Sequence, residues 1–270
     1  MQIKMLSSLW GYEHYPLKDI LQKIKRAGYD GIDTFMPDDE NVKRELLQLI
    51  KEQELCLVVQ QHQANGDTFP DFKRSFADYL TLSASAEPLL VNSHTGKDYF
   101  SFEQNMELIG MAQSFSRERG IEIVHETHRG RFGFSPLVIG RYFDALPDLR
   151  IAADFSHWTC VTESFLEGFK DTLQQAFART THIHARVGYE EGPQVPDPRA
   201  PEWKQALDKF LNWWDQIVDM QLKQGRNVLT ITTEFGPVPY MPTLPFSNKP
   251  VADLFEINGY MKDLLRNRYA

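Results

Sequence analysis

The sequence predicts a (β/α)8 barrel, one α/β TIM-barrel domain over residues 1–270. Three observations carry this. Short β-prone runs alternate with amphipathic helical stretches about eight times at a spacing of roughly thirty residues, the pattern of parallel strands joined by crossover helices. The length of 270 residues suits a single barrel, which takes roughly 250. Four of the later β runs end on a carboxylate or an imidazole, at the strand ends where barrels hold their active sites. The alternative, an open doubly wound sheet, is weakened in its dinucleotide-binding form because no glycine-rich phosphate turn follows the first strand. No low-complexity linker or break in composition divides the chain.

In order, residues 3–8 give the first expected strand. A helix over 17–27 places Leu17, Ile20, Leu21 and Ile24 on one face, and Gly28 stops it. A strand over 31–35, a helix over 42–53 and a strand over 55–61 lead to His62. A helix over 72–85 and a strand over 88–93 lead to His94. A helix over 102–119, stopped by Gly120, precedes the strand that begins at Ile121. Helices over 136–146 and 163–178 precede the strands that begin at Arg150 and Thr181. A long helix over 202–223 ends before Gly225, the strand from Val228 follows, and a helix over 253–266 closes the chain. Two Pro/Gly-rich loops, 186–201 and 235–250, follow strands with candidate ligands. Long structured loops in a compact domain are usually functional.

Composition narrows the function. The chain is 42% hydrophobic and 24% charged, as in a globular protein. Its net charge of −8 and pI near 5.5 argue against a broad nucleic-acid surface. No apolar run approaches the roughly 20 residues of a membrane span, and the N-terminus lacks the apolar core of a signal peptide. Cys56 sits inside an expected strand, so Cys56 and Cys160 are expected as free thiols in a reducing, cytoplasmic compartment.

The chemistry concentrates in 121–128 (IEIVHETH), 150–157 (RIAADFSH), 181–186 (THIHAR) and 228–234 (VLTITTE). Side chains alternate faces along a strand. Glu126 then shares a face with Val124, Asp154 with Ala152, His184 with His182, and Glu234 with Thr232 and Thr230. Ile123, Ile151, Ile183 and Ile231 fall on the opposite faces, toward covering helices. A polar cap at a strand end explains any one of these residues; four at one parity on consecutive strands point to a shared site. Glu126, Asp154, His184 and Glu234 form a mixed oxygen and nitrogen set. It suits one divalent ion, Mn, Mg, Co, Fe or catalytic Zn, and without a cation such groups repel one another.

Around this set, His157 is expected on a loop three residues past Asp154, in reach of a substrate oxygen. Arg186 shares the inward parity of His184 and can clamp a substrate oxygen. His62 and His94 end the third and fourth strands and can line a pocket. Trp10, Phe35, Trp158 and Phe235 are candidates for its wall, with core packing as the default. His182 is expected behind His184, His125 toward the helices, His14 on the surface, and Arg129 and Arg131 in a solvated loop.

At these residues the chain resembles the xylose isomerase-like TIM-barrel superfamily, and within it the sugar isomerase/epimerase group that includes the D-tagatose 3-epimerase family. The likeness covers nearly the whole chain, from 17–21 (LKDIL) and 27–33 (AGYDGID) through Glu126, Asp154 with His157, His184 and Glu234. The resemblance implies that Glu126, Asp154, His184 and Glu234 hold the metal, that Glu126 and Glu234 exchange the substrate proton, and that His157 touches substrate. The epimerases carry a substrate-binding arginine six residues after the metal histidine, where this chain has Glu190; Arg186 is the nearest arginine. The second strand ends in Asp33 where glutamate is common.

The same superfamily contains endonuclease IV, with a fuller zinc set and an Asp-Arg-His run. Here that offset reads Asp197-Pro198-Arg199, without the histidine. The implied function is a metal-dependent isomerase or epimerase of a small keto-sugar or related polyol, moving a proton next to a carbonyl through an enediolate. A polyol or inosose-type dehydratase is the alternative, and a non-catalytic sugar-binding module the third reading. The expected partner is a small-molecule carbohydrate, with no nucleic acid and no membrane; homo-oligomer formation is left open.

Overall fold

The computed structural model describes residues 1–270. Eight parallel strands close into a barrel in chain order. They are β1 (Gln2–Ser8), β2 (Gly31–Thr34), β3 (Cys56–Gln61), β4 (Leu90–Ser93), β5 (Glu122–Glu126), β6 (Ile151–Ala153), β7 (Thr180–His184) and β8 (Val228–Thr233). The helices are α1 (Leu17–Arg26), α2 (Glu40–Glu52), α3 (Phe69–Ala84), α4 (Phe102–Arg119), α5 (Pro136–Ala145), α6 (Phe155–Thr162), α7 (Lys170–Arg179), α8 (Lys204–Lys223) and α9 (Leu254–Arg268). Short 3-10 turns at Glu167–Phe169 and Pro201–Trp203 lead into α7 and α8.

Local chemistry sets most boundaries. α4 starts with a capping box: Gln104 N–H donates to Ser101 Oγ at 3.2 Å, and Ser101 N–H donates to Gln104 Oε1 at 3.0 Å. It ends at Gly120 with φ +67°, a left-handed stop that glycine adopts readily. Caps also move helix starts earlier than the hydrophobic pattern implies. Asp39 accepts from Asn41 and Val42 N–H, so α2 begins at Glu40, and Thr68 caps α3 at Phe69.

One region departs from the sequence expectation. The run 150–157 was expected as a strand leading into a loop, with a helix over 163–178. Instead β6 ends at Ala153 and α6 begins at once, with Asp154 as its N-cap accepting from Ser156 N–H at 3.1 Å. Aromatic and β-branched residues disguise this helix. Phe155 and Trp158, three apart on one helical face, bring their rings to 4.9 Å, and Trp158 Nε1 donates to the Gly133 carbonyl at 2.8 Å. Left-handed residues at Glu163 and Leu166 then break the chain, and α7 starts only at Lys170.

Two apolar layers hold the barrel. Ile151, Ile183 and Ile231 face the helices in a core of 47 buried residues, and Ile123 does so in a smaller cluster with Phe72, Phe76 and Leu108. Inside the barrel, Leu6, Val58, Leu90, Val124 and Ala152 form a floor. Each lies two residues before an inward polar side chain: Ser8, Gln60, Asn92, Glu126 and Asp154. On these five strands the lumen is apolar toward the N-terminal ends and polar toward the C-terminal ends, while β7 and β8 place the bonded pair His182 and Thr230 at the lower level. Register aligns the polar ends, with Glu126 beside Ala152, Ala152 beside His182, and His184 beside Thr232. Both cysteines are free and half-buried, and no helix is long and apolar enough to cross a membrane.

Leu90 is 2% exposed in that floor. Leu90→Ala should cost about 2–5 kcal/mol in denaturant unfolding without changing the slope of the transition. An unchanged midpoint would show that the floor is not packed as described.

Candidate metal centre

Glu126 ends β5, Asp154 follows β6, His184 ends β7 and Glu234 follows β8. All four are buried, and one donor atom from each lies within 4.8 Å of the others. Parity along short parallel strands thus delivers the set that the sequence implies.

His184 shows what this set requires. Its Nε2 lies 3.1 Å from Asp33 Oδ2. Asn92 Nδ2, 3.2 Å away on the same nitrogen, makes its shorter bond to Glu126 Oε2 at 2.6 Å. Asp33 can only accept, so Nε2 carries the proton and Nδ1 turns a lone pair inward. That Nδ1 is 2.8 Å from Glu234 Oε2 and 3.5 Å from Glu126 Oε2, with no hydrogen bond formed. A lone pair aimed at two carboxylates is repulsive unless a positive charge lies between them. The titration of His184 shows the same demand. Burial opposes its charging, but Glu234 and Glu126 outweigh burial and raise its pKa well above the usual value. A divalent ion on Glu126, Asp154, His184 and Glu234 meets this demand, and the donor chemistry suits it.

Asp33 is the residue that sequence reasoning passed over, registering it only as a departure from glutamate. Its Oδ2 accepts from His182 Nε2 at 3.2 Å, His184 Nε2 at 3.1 Å and Thr232 Oγ1 at 2.9 Å. Burial pushes its carboxyl up, but bonds from His182 and His184 hold it below the usual carboxylate range, so it stays ionised. His182 is in turn fixed by Thr230 at 2.7 Å, which confirms its expected place behind His184.

Asp154 binds Ser156 through Oδ1 and the Arg186 guanidinium through Oδ2. Burial lifts its pKa to about 6, Arg186 opposes this, and Glu234 and Glu126 add to it. Arg186, expected as a substrate clamp, is buried and ion-paired here. Its Nε donates to Ser156 Oγ at 3.1 Å, its Nη1 lies 3.7 Å from Glu234 Oε2, and it underlies the Tyr240 ring at 4.9 Å. His157, expected on a loop, lies fully buried on α6, where Nε2 accepts from Arg186 Nη2 at 2.9 Å. Burial, then His128 and Arg186, holds His157 neutral. It supports Arg186 and Asp154 from behind and does not line the cavity.

A cavity of about 590 Å³ opens above the cluster, with Glu126, Glu234, Arg186, His62, His94 and Trp10 among its lining residues. His94 Nε2 donates to Glu126 Oε2 at 2.8 Å. His62 stands between Phe35, 5.4 Å away edge-on, and His94 at 5.9 Å. Burial, then the charges of His94 and Arg131, lowers its pKa to about 4. Gly236 lets Trp10 reach the wall, since a Cβ there would sit 2.2 Å from the indole. Both long loops serve this wall. Gln194 fastens them together, accepting from Gly236 N–H at 2.7 Å and donating to its carbonyl at 3.2 Å.

Other expectations resolve plainly. Trp158 and Phe235 pack in the core, and Phe35 lines the cavity. His125 faces the helices, bonded to Thr95 and against Phe132, and His14 is exposed. His128, Asn92 and Gln60 were not anticipated. His128 lines the cavity between His94 and His157, at ring distances of 4.7 and 4.0 Å, and anchors Nδ1 on the Arg129 carbonyl. It stands two residues after Glu126, so the same parity count applies to it. Gln60 donates to Glu234 Oε1 at 3.3 Å. Gln60 and Asn92 occupy inward positions at the ends of β3 and β4.

No family model and no curated protein sequence matches this chain. Solved structures do. The chain is similar to a xylose isomerase-like TIM-barrel protein of Mycobacterium smegmatis, solved with magnesium, at TM-score 0.66 and 11% identity over 99% of this chain and 98% of that one. A D-tagatose 3-epimerase-like protein aligns at TM-score 0.64 and 14% identity over 98% of this chain and 96% of that one. A probable 3-DHS dehydratase of Bacillus anthracis, involved in petrobactin synthesis, aligns at TM-score 0.61 and 15% identity over 99% of this chain and 100% of that one. The fold is that of the xylose isomerase-like TIM barrels.

Metal affinity, measured by competition with a chelator, should fall about 10–100-fold in Asp33→Ala, which removes the acceptor orienting His184. His184→Ala should lose stoichiometric binding. Wild-type affinity in both variants would rule out the assigned ligand set.

Proposed function

We propose that this chain is a metal-dependent isomerase or epimerase of a keto-sugar or related polyol, moving a proton at a carbon next to a carbonyl. The observation that carries this reading is the pair Glu126 and Glu234. They come from β5 and β8, reach one buried cluster and line one cavity. Every hydrogen bond to Glu126 falls on Oε2, from Asn92 and His94, which leaves Oε1 for a substrate proton. Burial opposes its charge, but His94 and His184 outweigh burial and hold Glu126 below the usual carboxylate range, ionised as a base must be. Glu234 is oriented by Gln60 from another side. Glu126 then takes the carbon-bound proton and Glu234 returns one, or the reverse. Held by the four ligands, a divalent ion would supply polarisation of the substrate carbonyl and stabilise the enediolate charge. The neutral imidazoles of His62 and His128 offer hydrogen bonds to substrate hydroxyls.

The dehydratase alternative uses the same parts, and its support is the fold shared with the probable 3-DHS dehydratase over 99% of this chain. Burial holds His128 neutral, with a pKa pushed down to about 3, and the residue lines the cavity beside Glu126. With its Nδ1 N–H on the Arg129 carbonyl, its Nε2 offers a hydrogen-bond acceptor to a substrate hydroxyl in either reaction. A nuclease is disfavoured: Asp197 is paired with Arg199 at 2.7 Å, outside the ligand cluster, and the net charge is −8. The two free cysteines suit the reducing, cytoplasmic setting that we include in the proposal.

Wild-type protein with Mn²⁺ should incorporate deuterium from solvent into one member of a keto-sugar panel without losing water; water loss would favour the dehydratase. Glu126→Gln and Glu234→Gln should each lower turnover about 10²–10⁴-fold while keeping some metal. Wild-type turnover in both metal-loaded variants would overturn the two-glutamate mechanism.

A further inference from the structure

The cavity is chemically two-sided. One end holds Glu126, Glu234, Arg186, Gln60, His94 and His128. The other end runs outward between the segment after β1 and the start of α2, walled by Leu9, Tyr12, Tyr15, Leu17, Val42 and Leu46. Trp10, Phe35 and Tyr240 also line the cavity, with Tyr240 over the Arg186 guanidinium at 4.9 Å. Trp10 meets Tyr240 edge-on at 5.0 Å and Phe35 meets His62 edge-on at 5.4 Å, so the cavity has aromatic sides.

We propose that the substrate is a glycoside-like molecule: a keto-sugar or polyol head at the carboxylate–histidine cluster, and an apolar aryl or alkyl substituent in the outer arm. This rests on the sugar reading for the head group, while the arm stands on its own lining. Three observations support an apolar occupant. Tyr15, Phe35 and Val42 are 40%, 41% and 47% exposed, so large apolar side chains of one cavity face solvent and gain by being covered. Several polar groups nearest the arm are already engaged, the buried Tyr12 hydroxyl excepted. Both Glu13 oxygens accept from Gly11 N–H at 3.0 Å, Ser8 Oγ accepts from Trp10 N–H at 3.1 Å, and Asp33 is turned toward His182 and His184. A second sugar ring would find few partners there, whereas a phenyl or alkyl group needs none. The cavity of about 590 Å³ also falls in the range of roughly 300–1,000 Å³ that holds drug-sized ligands, more than a lone monosaccharide needs.

The test is calorimetric titration of Mn²⁺-loaded protein with methyl β-D-glucoside, phenyl β-D-glucoside and phenol, for wild type and Val42→Glu. Val42 is the third residue of α2, where a carboxylate suits the helix N-terminus, so this variant should fold; circular dichroism checks it. Phenyl glucoside should bind wild type about tenfold or more tighter than methyl glucoside, and Val42→Glu should bring the two within about twofold. If neither glucoside binds but phenol does, and Val42→Glu abolishes phenol binding, the arm is upheld and the sugar reading fails. Equal affinity for the two glucosides, no binding of any aryl probe, or aryl binding indifferent to Val42→Glu would overturn the proposal.

Discussion

The hydrogen bond from His184 Nε2 to Asp33 is the contact on which the site depends. It fixes which imidazole nitrogen carries the proton, and so turns the Nδ1 lone pair toward Glu126 and Glu234. Asp33 can hold that position because His182 and Thr232 also donate to the same oxygen, which keeps it charged while buried. Four carboxylates, Asp33, Glu126, Asp154 and Glu234, are buried around one buried guanidinium, Arg186. Isolated buried charges are costly and such anions cannot all stay ionised without compensation. A divalent ion supplies it at the point where the donor atoms converge, taking the Nδ1 position of His184 that a proton would otherwise occupy.

The barrel makes this arrangement rigid. The strands that deliver ligands are short, and their lower ends sit on the apolar floor of Leu6, Val58, Leu90, Val124 and Ala152. The loops after β7 and β8 are tied to the scaffold as well as to each other. Gln194 grips Gly236, and Asn258 of α9 accepts from Phe235 N–H at 2.9 Å and donates to its carbonyl at 3.0 Å. Glu234 therefore sits in a segment whose backbone groups on its C-terminal side are held by buried amides. A general base confined this way loses little orientational freedom when a substrate arrives.

What the sequence made legible follows from what period-two alternation can see. All eight strands and the inward parity of Glu126, Asp154, His184 and Glu234 were readable because each residue ends a short β-prone run in which isoleucines mark the opposite, helix-facing side. The rule reached its limit at Ala153. There the chain turns into α6 within one residue, so His157 left the expected loop for a buried helical position behind Arg186. Asp33 and His128 obey the same parity but were given no role of their own, one because the second strand was judged by a family pattern, the other because the ligand count in 121–128 stopped at Glu126. Asn92 and Gln60 carry amides, which a search for ligands ignores, although they orient both glutamates. The apolar arm was invisible because its walls come from separate segments around residues 9–20 and 34–46, joined only by the fold.

The central claim is that one cation belongs among Glu126, Asp154, His184 and Glu234. Crystals soaked in Mn²⁺ and measured near the manganese absorption edge test it most directly. The predicted result is a single strong anomalous peak within bonding distance of all four side chains, absent in His184→Ala. No peak at that position in the wild-type protein, or an equal peak in His184→Ala, would contradict it.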